Sequence, residues 1–282
     1  MPTPDLHLIT TGADSNHFAN LRVLVGSWLV HMQHCPLMIC DFGLAPLQRQ
    51  ELTRIQGLTI LPSAVPIEHP WLGKSLIGRF LAERSRDART IMWLDADALF
   101  NTRLPDLSPL IEGYDMLLDA HIQSIGDIAT PENIAALSLR PDDAYFSAGW
   151  WVARPGCLLD SYERFTALVR GQGHLWECDA FVAAIYAERL RIRPVSGPVW
   201  HVRGRTSLHS CTTRDGVVFH GEQPAYVVHA NDGYTERSDG RRVFKRAELA
   251  EIQDFYEAAY RREIGQPIAE GTLGPNAYTT GR

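Results

Sequence analysis

The first hundred residues alternate short apolar runs with stretches of helical spacing, and this alternation restricts the fold more than any other feature. LHLITT (6–11), PLMIC (36–40), LTILP (58–62) and TIMWL (90–94) have strand length. The first is closed by the turn-rich TGADSN and the second by Asp41 and Gly43. Between them, HFANLRVLVGSWLVH places Phe18, Leu21, Val25, Trp28 and Leu29 at helical spacing. PLQRQELTRI reads as a short helix and WLGKSLIGRFLAERSRDA as a strongly amphipathic one. A β-α-β-α-β-α-β order predicts an α/β fold, with a mostly parallel central sheet and helices on both faces.

The second half is less regular. YDMLLDA (114–120) and AYFSAGWWVARPG read as strands, and Thr130-Pro131-Glu132 opens a helix with a capping residue and a first-turn proline. SYERFTALVRG and ECDAFVAAIYAERL are helical, RIRPVSGPVWHVRG is extended and broken by proline, and VVFHGEQPAYVVHANDG carries one or two strands into an Asn231-Asp232-Gly233 turn. RAELAEIQDFYEAAYRREIG sets Leu249, Ile252, Tyr256, Ala259 and Tyr260 on one face, and GQPIAEGTLGPNAYTTGR is irregular. No repeat or linker divides the chain. The expectation is one domain over 1–245, in halves of 1–110 and 111–245, followed by a helix and irregular tail over 246–282.

Composition narrows the class of partner. With 45% hydrophobic and 21% charged residues the chain can bury a sizeable core, and its net charge of −6 lacks the basic face of a nucleic-acid binder. No run approaches the roughly 18 apolar residues of a transmembrane helix. MPTPDLHLITT lacks the basic and apolar regions of a secretory leader. The five cysteines form no CxxC pair and are odd in number, which points to buried reduced thiols and a cytoplasmic setting.

The chemistry concentrates in IMWLDADALFN (91–101), where a buried-looking strand ends in Asp95 and Asp97. Aspartate is poorly suited to a strand interior. With period-2 geometry the two carboxylates project to one side, about 6–7 Å apart. Open α/β sheets bind ligands outside the carboxyl ends of their strands, and TGADSN, Asp41 and Asp95-Ala96-Asp97 all fall there. A hard divalent cation held by carboxylates neutralises a nucleotide diphosphate as it leaves. A turn or helix-capping pair of aspartates is the alternative.

These pieces together resemble the GT-A nucleotide-diphospho-sugar transferases, particularly the retaining families. LITTGADSN is similar to their first strand and nucleotide loop, and MICDFGL to the second strand with its Asp-x-Gly-Leu ending. HPWLGKSLIGRFL leading into MWLDADALF is similar to their Lys-bearing helix and metal-binding Asp-x-Asp. FSAGWWVARPG resembles a strand usually written Asn-Ala-Gly, with Ser147 in the Asn position. ECDAF resembles an Asp-Gln-Asp helix start, with Glu177-Cys178 in place of Asp-Gln, and VVHANDG a C-terminal metal-binding histidine.

The resemblance implies a role for each residue. Asp95 and Ala96 would face the donor, and Asp95, Asp97 and His229 would ligate manganese or magnesium. Lys74 and Arg79 would point to phosphate or sugar hydroxyls, unless they are solvated cations of an amphipathic helix. Thr11, Ala13 and Asp14 would lie along the nucleotide. Gly149 and Trp150 would sit beside the sugar, with at most one of Trp150 and Trp151 serving as a platform. Asp179 and Glu177 would lie near the anomeric carbon, unless one of them caps its helix. His201, His209 and His220 have no assignable partner.

The implied activity is transfer of a hexose from a nucleotide-diphosphate sugar, UDP-linked, to an acceptor hydroxyl, with retention. The first half of the domain would hold the nucleotide, the second the sugar and acceptor. Two rivals use the same residues. A phosphohydrolase with Asp95 as nucleophile would enlist Asp142-Asp143 as its second acidic pair, although such enzymes place the first pair after the first strand. A non-catalytic sugar- or nucleotide-binding module would not need the full set of Lys74, Asp95, Asp97 and His229.

Overall fold

The computed structural model describes residues 7–265 apart from 64, 66, 68, 82–86, 158–159, 171–175, 196, 204–207, 231–233 and 239. The Asn231-Asp232-Gly233 turn and the tail from 266 therefore lie outside the described residues.

The four apolar runs form β1 (His7–Asp14), β2 (Leu37–Gly43), β3 (Leu58–Leu61) and β4 (Thr90–Leu94), all mutually parallel. α1 (Phe18–His31) and α2 (Pro46–Leu52) connect the first three. The single long helix expected after β3 is instead two short ones, α3 (Pro70–Ser75) and α4 (Ile77–Leu81), parted at Leu76 with φ −89° and ψ 5°. Gly73 lowers helix propensity there, and the Ser75 hydroxyl donates to the Leu72 carbonyl at 2.8 Å, competing with the backbone ladder.

After β5 (Ala98–Phe100) and α5 (Ser108–Ile111) come β6 (Met116–Ser124), α6 (Ile125–Ile128), α7 (Pro131–Leu137) and β7 (Ala144–Ala153). Thr130 caps α7 by accepting from the Asn133 amide at 3.2 Å. α8 (Asp160–Val169), α9 (Trp176–Ala187) and β8 (Ile192–Val195) complete the main layer. The seven-stranded sheet runs β3-β2-β1-β4-β7-β6-β8, with β7 antiparallel to both neighbours.

Then follow α10 (Gly197–Trp200), β9 (His201–Arg203), β10 (Cys211–Arg214), β11 (Val217–His220), β12 (Gln223–Pro224) and β13 (Val227–His229). The hairpin β14 (Tyr234–Glu236) and β15 (Arg242–Phe244) leads into α11 (Ala247–Glu263). β13 pairs antiparallel with β5 and parallel with β9, making a small second sheet. α11 packs along α1, where Tyr256 and His31 share a 2.7 Å hydrogen bond.

Strand alternation divides the core into two. Leu8, Ile91, Trp93, Leu118 and Trp151 face α4, α8 and α9, whereas Ile9, Met92, Leu94, Leu117 and Trp150 face α1. Both faces of the sheet are covered, as a mostly parallel sheet requires. Among the described residues no helix is long and apolar enough to cross a membrane.

Candidate active site

The site begins where the chain leaves β4. The Ala98 amide donates to the Asp95 carbonyl at 2.9 Å, so Asp95-Ala96-Asp97-Ala98 is a turn and not a strand end. This corrects the expectation of two carboxylates spaced along one strand. The physical cause is β5, which must pair with β13 outside the main sheet and so bends the chain immediately after Leu94. Ala98 pairs with His229, and the turn thereby carries both aspartates to the imidazole.

His229 Nε2 lies 2.7 Å from Asp97 Oδ1 and 3.9 Å from Asp95 Oδ2. One ligand atom from each of the three residues falls within a 4.8 Å group, a spread that could surround one divalent cation. Arg242, from β15, donates to Asp97 Oδ2. Burial would raise the Asp97 carboxyl, but His229 and Arg242 hold it well below the usual carboxylate range.

Lys74 is the second organising charge. Its Nζ lies 2.8 Å from Asp95 Oδ1 and 3.1 Å from Glu177 Oε1, bridging α3, the β4 turn and α9. Burial alone would lower the ammonium, yet the Asp95 and Glu177 carboxylates outweigh it and raise it above its ordinary value. Trp93 Nε1 donates to Asp95 Oδ1 at 2.9 Å, and the Tyr162 hydroxyl donates to Glu177. Every charge at this point has an opposite charge or a donor beside it, which is what lets it be buried.

A cavity of about 340 Å³ opens over these groups at the carboxyl ends of β1, β2 and β4. It is lined by Gly12, His17, Phe42, Pro70, Trp71, Lys74, Trp93, Asp95, Ala96, Asp97, Ser147, Gly149, Glu177, Cys178, His229 and Arg242. Lys74, Asp95, Ala96, Asp97, Gly149, Glu177 and His229 are thus brought together. The other expected residues are not.

Thr11 and Ala13 are buried in β1, whose alternation turns Gly12 to the cavity instead. Asp14 accepts from the His17 amide at 2.9 Å and contacts the His17 ring at 2.7 Å, so it shapes the loop that presents His17. Arg79 lies outside the cavity and pairs with Glu163 at 2.7 Å. Trp150 is fully buried on the α1 side of the sheet against Trp200, and Trp151 packs against Trp93 and Phe181, so neither indole is a platform. Asp179 is fully buried and accepts from Asn133 Nδ2 at 2.5 Å and from the Tyr145 hydroxyl at 2.8 Å. Burial raises its carboxyl. One residue after Cys178 on α9, it points beneath the floor and not into it. Asp142-Asp143 is not gathered to Asp95 either.

Several lining residues escaped the sequence reading. His17, Trp71, Ser147 and Cys178 stand inside or beside the motifs and needed only the direction of each side chain. Arg242 carries no local signal, since a hairpin far along the chain delivers it. His201, left without a partner, lies 2.9 Å from His229 and 3.1 Å from Asp119. Burial lowers its pKa to about 4 despite the Asp119 hydrogen bond, so the ring is neutral at physiological pH.

The mixed α/β sheet with helices on both faces matches the GT-A fold of the solved glycosyltransferase structures that the chain resembles. Among solved structures the chain is similar to galactosyltransferase LgtC in complex with donor and acceptor sugar analogs. That match has a TM-score of 0.56 and 13% identity, over 94% of this chain and 100% of that one. An active-site mutant of LgtC matches with a TM-score of 0.55 and 12% identity, over 79% and 86%. The apo bifunctional glycosyltransferase WbbM matches with a TM-score of 0.56 and 11% identity, over 94% of this chain and 50% of that one. No family model and no curated protein matches the sequence. At these identities the likeness is one of fold.

Proposed function

We propose that the protein is a metal-dependent glycosyltransferase that moves a hexose from a UDP-linked donor to an acceptor hydroxyl, with retention at the anomeric carbon. The observation that carries this reading is the convergence of Asp95, Asp97 and His229 beside Lys74 in the cavity of a GT-A fold. Two carboxylates with one imidazole fit manganese well and magnesium less well. A cation held there supplies charge to offset the departing diphosphate. Residues 1–110 would hold the nucleotide, 111–245 the sugar and acceptor, with 246–282 as an appended helix and tail. All five cysteines are free, which supports a reducing compartment such as a cytoplasm.

The chain's own residues divide the remaining work. Lys74 bridges the Asp95 and Glu177 carboxylates and holds them side by side. Arg242 fixes Asp97 through Oδ2, leaving Oδ1 toward His229, and its guanidinium faces the cavity where it can meet phosphate oxygens. Glu177 is the cavity carboxylate that takes the role expected of the Glu177–Asp179 pair near the reacting carbon, while Asp179 anchors α9. The acceptor oxygen bonds to the anomeric carbon as the bond from that carbon to the phosphate oxygen breaks. The acceptor proton passes to that phosphate oxygen.

The test is release of UDP from a panel of UDP-hexoses, with manganese and with a chelator, for the native protein and Asp97→Asn. Manganese-stimulated release lost in the variant supports the reading. Equal turnover by Asp97→Asn, or none from any UDP-hexose, would sink it.

A further inference from the structure

Behind His229 a line of buried polar groups runs away from the cavity. His229 Nδ1 is 2.9 Å from His201 Nε2, and His201 Nδ1 is 3.1 Å from Asp119 Oδ2. His201 is 0% exposed, Asp119 1% and His229 3%. The three come from β9, β6 and β13, so tertiary structure alone assembles them. Parallel pairing sets His201 opposite Val227, two residues before His229 and on the same face of the small sheet. The two rings lie 5.0 Å apart at 28°, and the Trp150 indole covers His201 with centroids 6.4 Å apart. Arg203 Nε donates to Asp119 Oδ2 at 2.6 Å. Gly197 makes room for the carboxylate, since a Cβ there would sit 2.5 Å from Asp119 Oδ1.

Burying a carboxylate and two imidazoles is costly compared with apolar packing, so the arrangement calls for a purpose. Hydrogen-bond roles along the line give one. Ionised Asp119 only accepts, so the proton of a neutral His201 sits on Nδ1. His201 Nε2 is then an acceptor, and His229 Nδ1 carries the proton between the rings. When the His229 ring is neutral, its Nε2 is left with the lone pair, 2.7 Å from Asp97 Oδ1 and 3.9 Å from Asp95 Oδ2. With the ring proton held on Nδ1, a divalent cation can take the place that a proton on Nε2 would otherwise fill between the imidazole and the carboxylates.

We infer that Asp119 and His201 are positioning residues which act through His229. They fix its tautomer and direction so that Nε2 offers its lone pair to a divalent cation shared with Asp95 and Asp97. The inference rests on the metal reading above and adds two residues that touch neither donor nor metal.

The experiment measures Mn²⁺ affinity of the full chain without donor, from the electron paramagnetic resonance of free Mn²⁺. The native protein is compared with Asp97→Asn, Asp119→Asn and His201→Phe, each first checked for folding by circular dichroism. Asp119→Asn and His201→Phe should each weaken Mn²⁺ binding about 10–100-fold, the range for partners behind a metal ligand. Nitrogen-15 spectra of the Zn²⁺-loaded native protein should place the His229 proton on Nδ1. Asp119→Asn, nearly isosteric and so the decisive variant if His201→Phe does not fold, should move part of it to Nε2. Loss of binding in Asp97→Asn alone, with the other two variants native in affinity, overturns this inference and leaves the metal site standing. A native His229 protonated on Nε2 with Zn²⁺ present overturns it as well. Native affinity in Asp97→Asn removes the metal site and both readings together.

Discussion

A β-carbon on Gly149 would lie 2.8 Å from Cε1 of His229 and 3.1 Å from Asp95 Oδ2, so the glycine is what lets imidazole and carboxylate meet over β7. Gly149→Ala leaves the strand backbone comfortable, and alanine even restrains the unfolded chain. The cost falls on the site. Mn²⁺ affinity should fall by about tenfold or more, on the scale of a disturbed ligand shell, and the melting temperature should fall with it, since the buried ring is held through both nitrogens and cannot yield freely. Parallel metal titrations and thermal melts check this, and native Mn²⁺ affinity in Gly149→Ala would contradict the placement of His229.

Lys74 has a different vulnerability, because it separates two carboxylates in a buried place. Removing it with Lys74→Met leaves Asp95 and Glu177 facing each other without a cation, and should destabilise the fold by about 3–5 kcal/mol. The double variant Lys74→Met/Glu177→Gln removes one of the stranded charges and should recover part of the loss. Urea denaturation of both gives the answer. A double variant no more stable than the single would show that Lys74 acts through packing and not through its charge.

How much of this was legible in the sequence depends on the distance over which each feature is set. β1 to β4 are fixed by local apolar runs, and Asp95 and Asp97 were visible as carboxylates no strand interior would hold. Their presentation was not visible, because the turn exists to deliver Ala98 to β13, more than a hundred residues away. His201 is brought to His229 by a similar long-range pairing and Arg242 by the β14–β15 hairpin, and neither carries a motif of its own. Trp150 and Asp179 show the opposite error. Their motifs lie beside the cavity, but the pleat turns Trp150 to the far side of the sheet, and α9 turns Asp179 under the floor. Which way a side chain points is decided by register, and register is decided by partners the local sequence does not name.

His31 makes stability depend on mild acid. Burial between α1 and α11 lowers its pKa to about 4, against roughly 6.5 in an unfolded chain. The unfolded state therefore takes up this proton first, and folding opposes protonation. The contribution is whole above pH of about 6.5, declines as pH falls toward about 4, and changes no further below that. With the ring partly solvated, about 1–2 kcal/mol should be lost across this window. His31→Gln can still bond the Tyr256 hydroxyl, so its stability should be flatter between those limits. Denaturation midpoints at several pH values compare the two slopes, and parallel slopes would rule His31 out as a source.

Trp71 is 50% exposed at the rim of the cavity, above a floor made by Asp97 and His229. Pro70 fixes the backbone before it, and the His69 ring lies 4.5 Å from its own, so the indole is held in place at the opening. A sugar presents one apolar face of C–H groups, and a steadied indole at the mouth of a polar cavity is the complementary surface. On the glycosyl-transfer function proposed above, the donor's diphosphate would sit with Lys74, Asp95, Asp97 and Arg242 on the floor, leaving the rim for the incoming acceptor. Trp71→Ala should therefore raise KM for a sugar acceptor several-fold, the equivalent of about 0.5–1.5 kcal/mol of aromatic contact, with kcat nearly unchanged. Hydrolysis of the UDP-hexose without acceptor should proceed at the native rate, because nothing on the floor has moved. If the variant loses affinity for UDP itself while its acceptor KM is native, the indole covers the nucleotide, and the acceptor must enter past another wall.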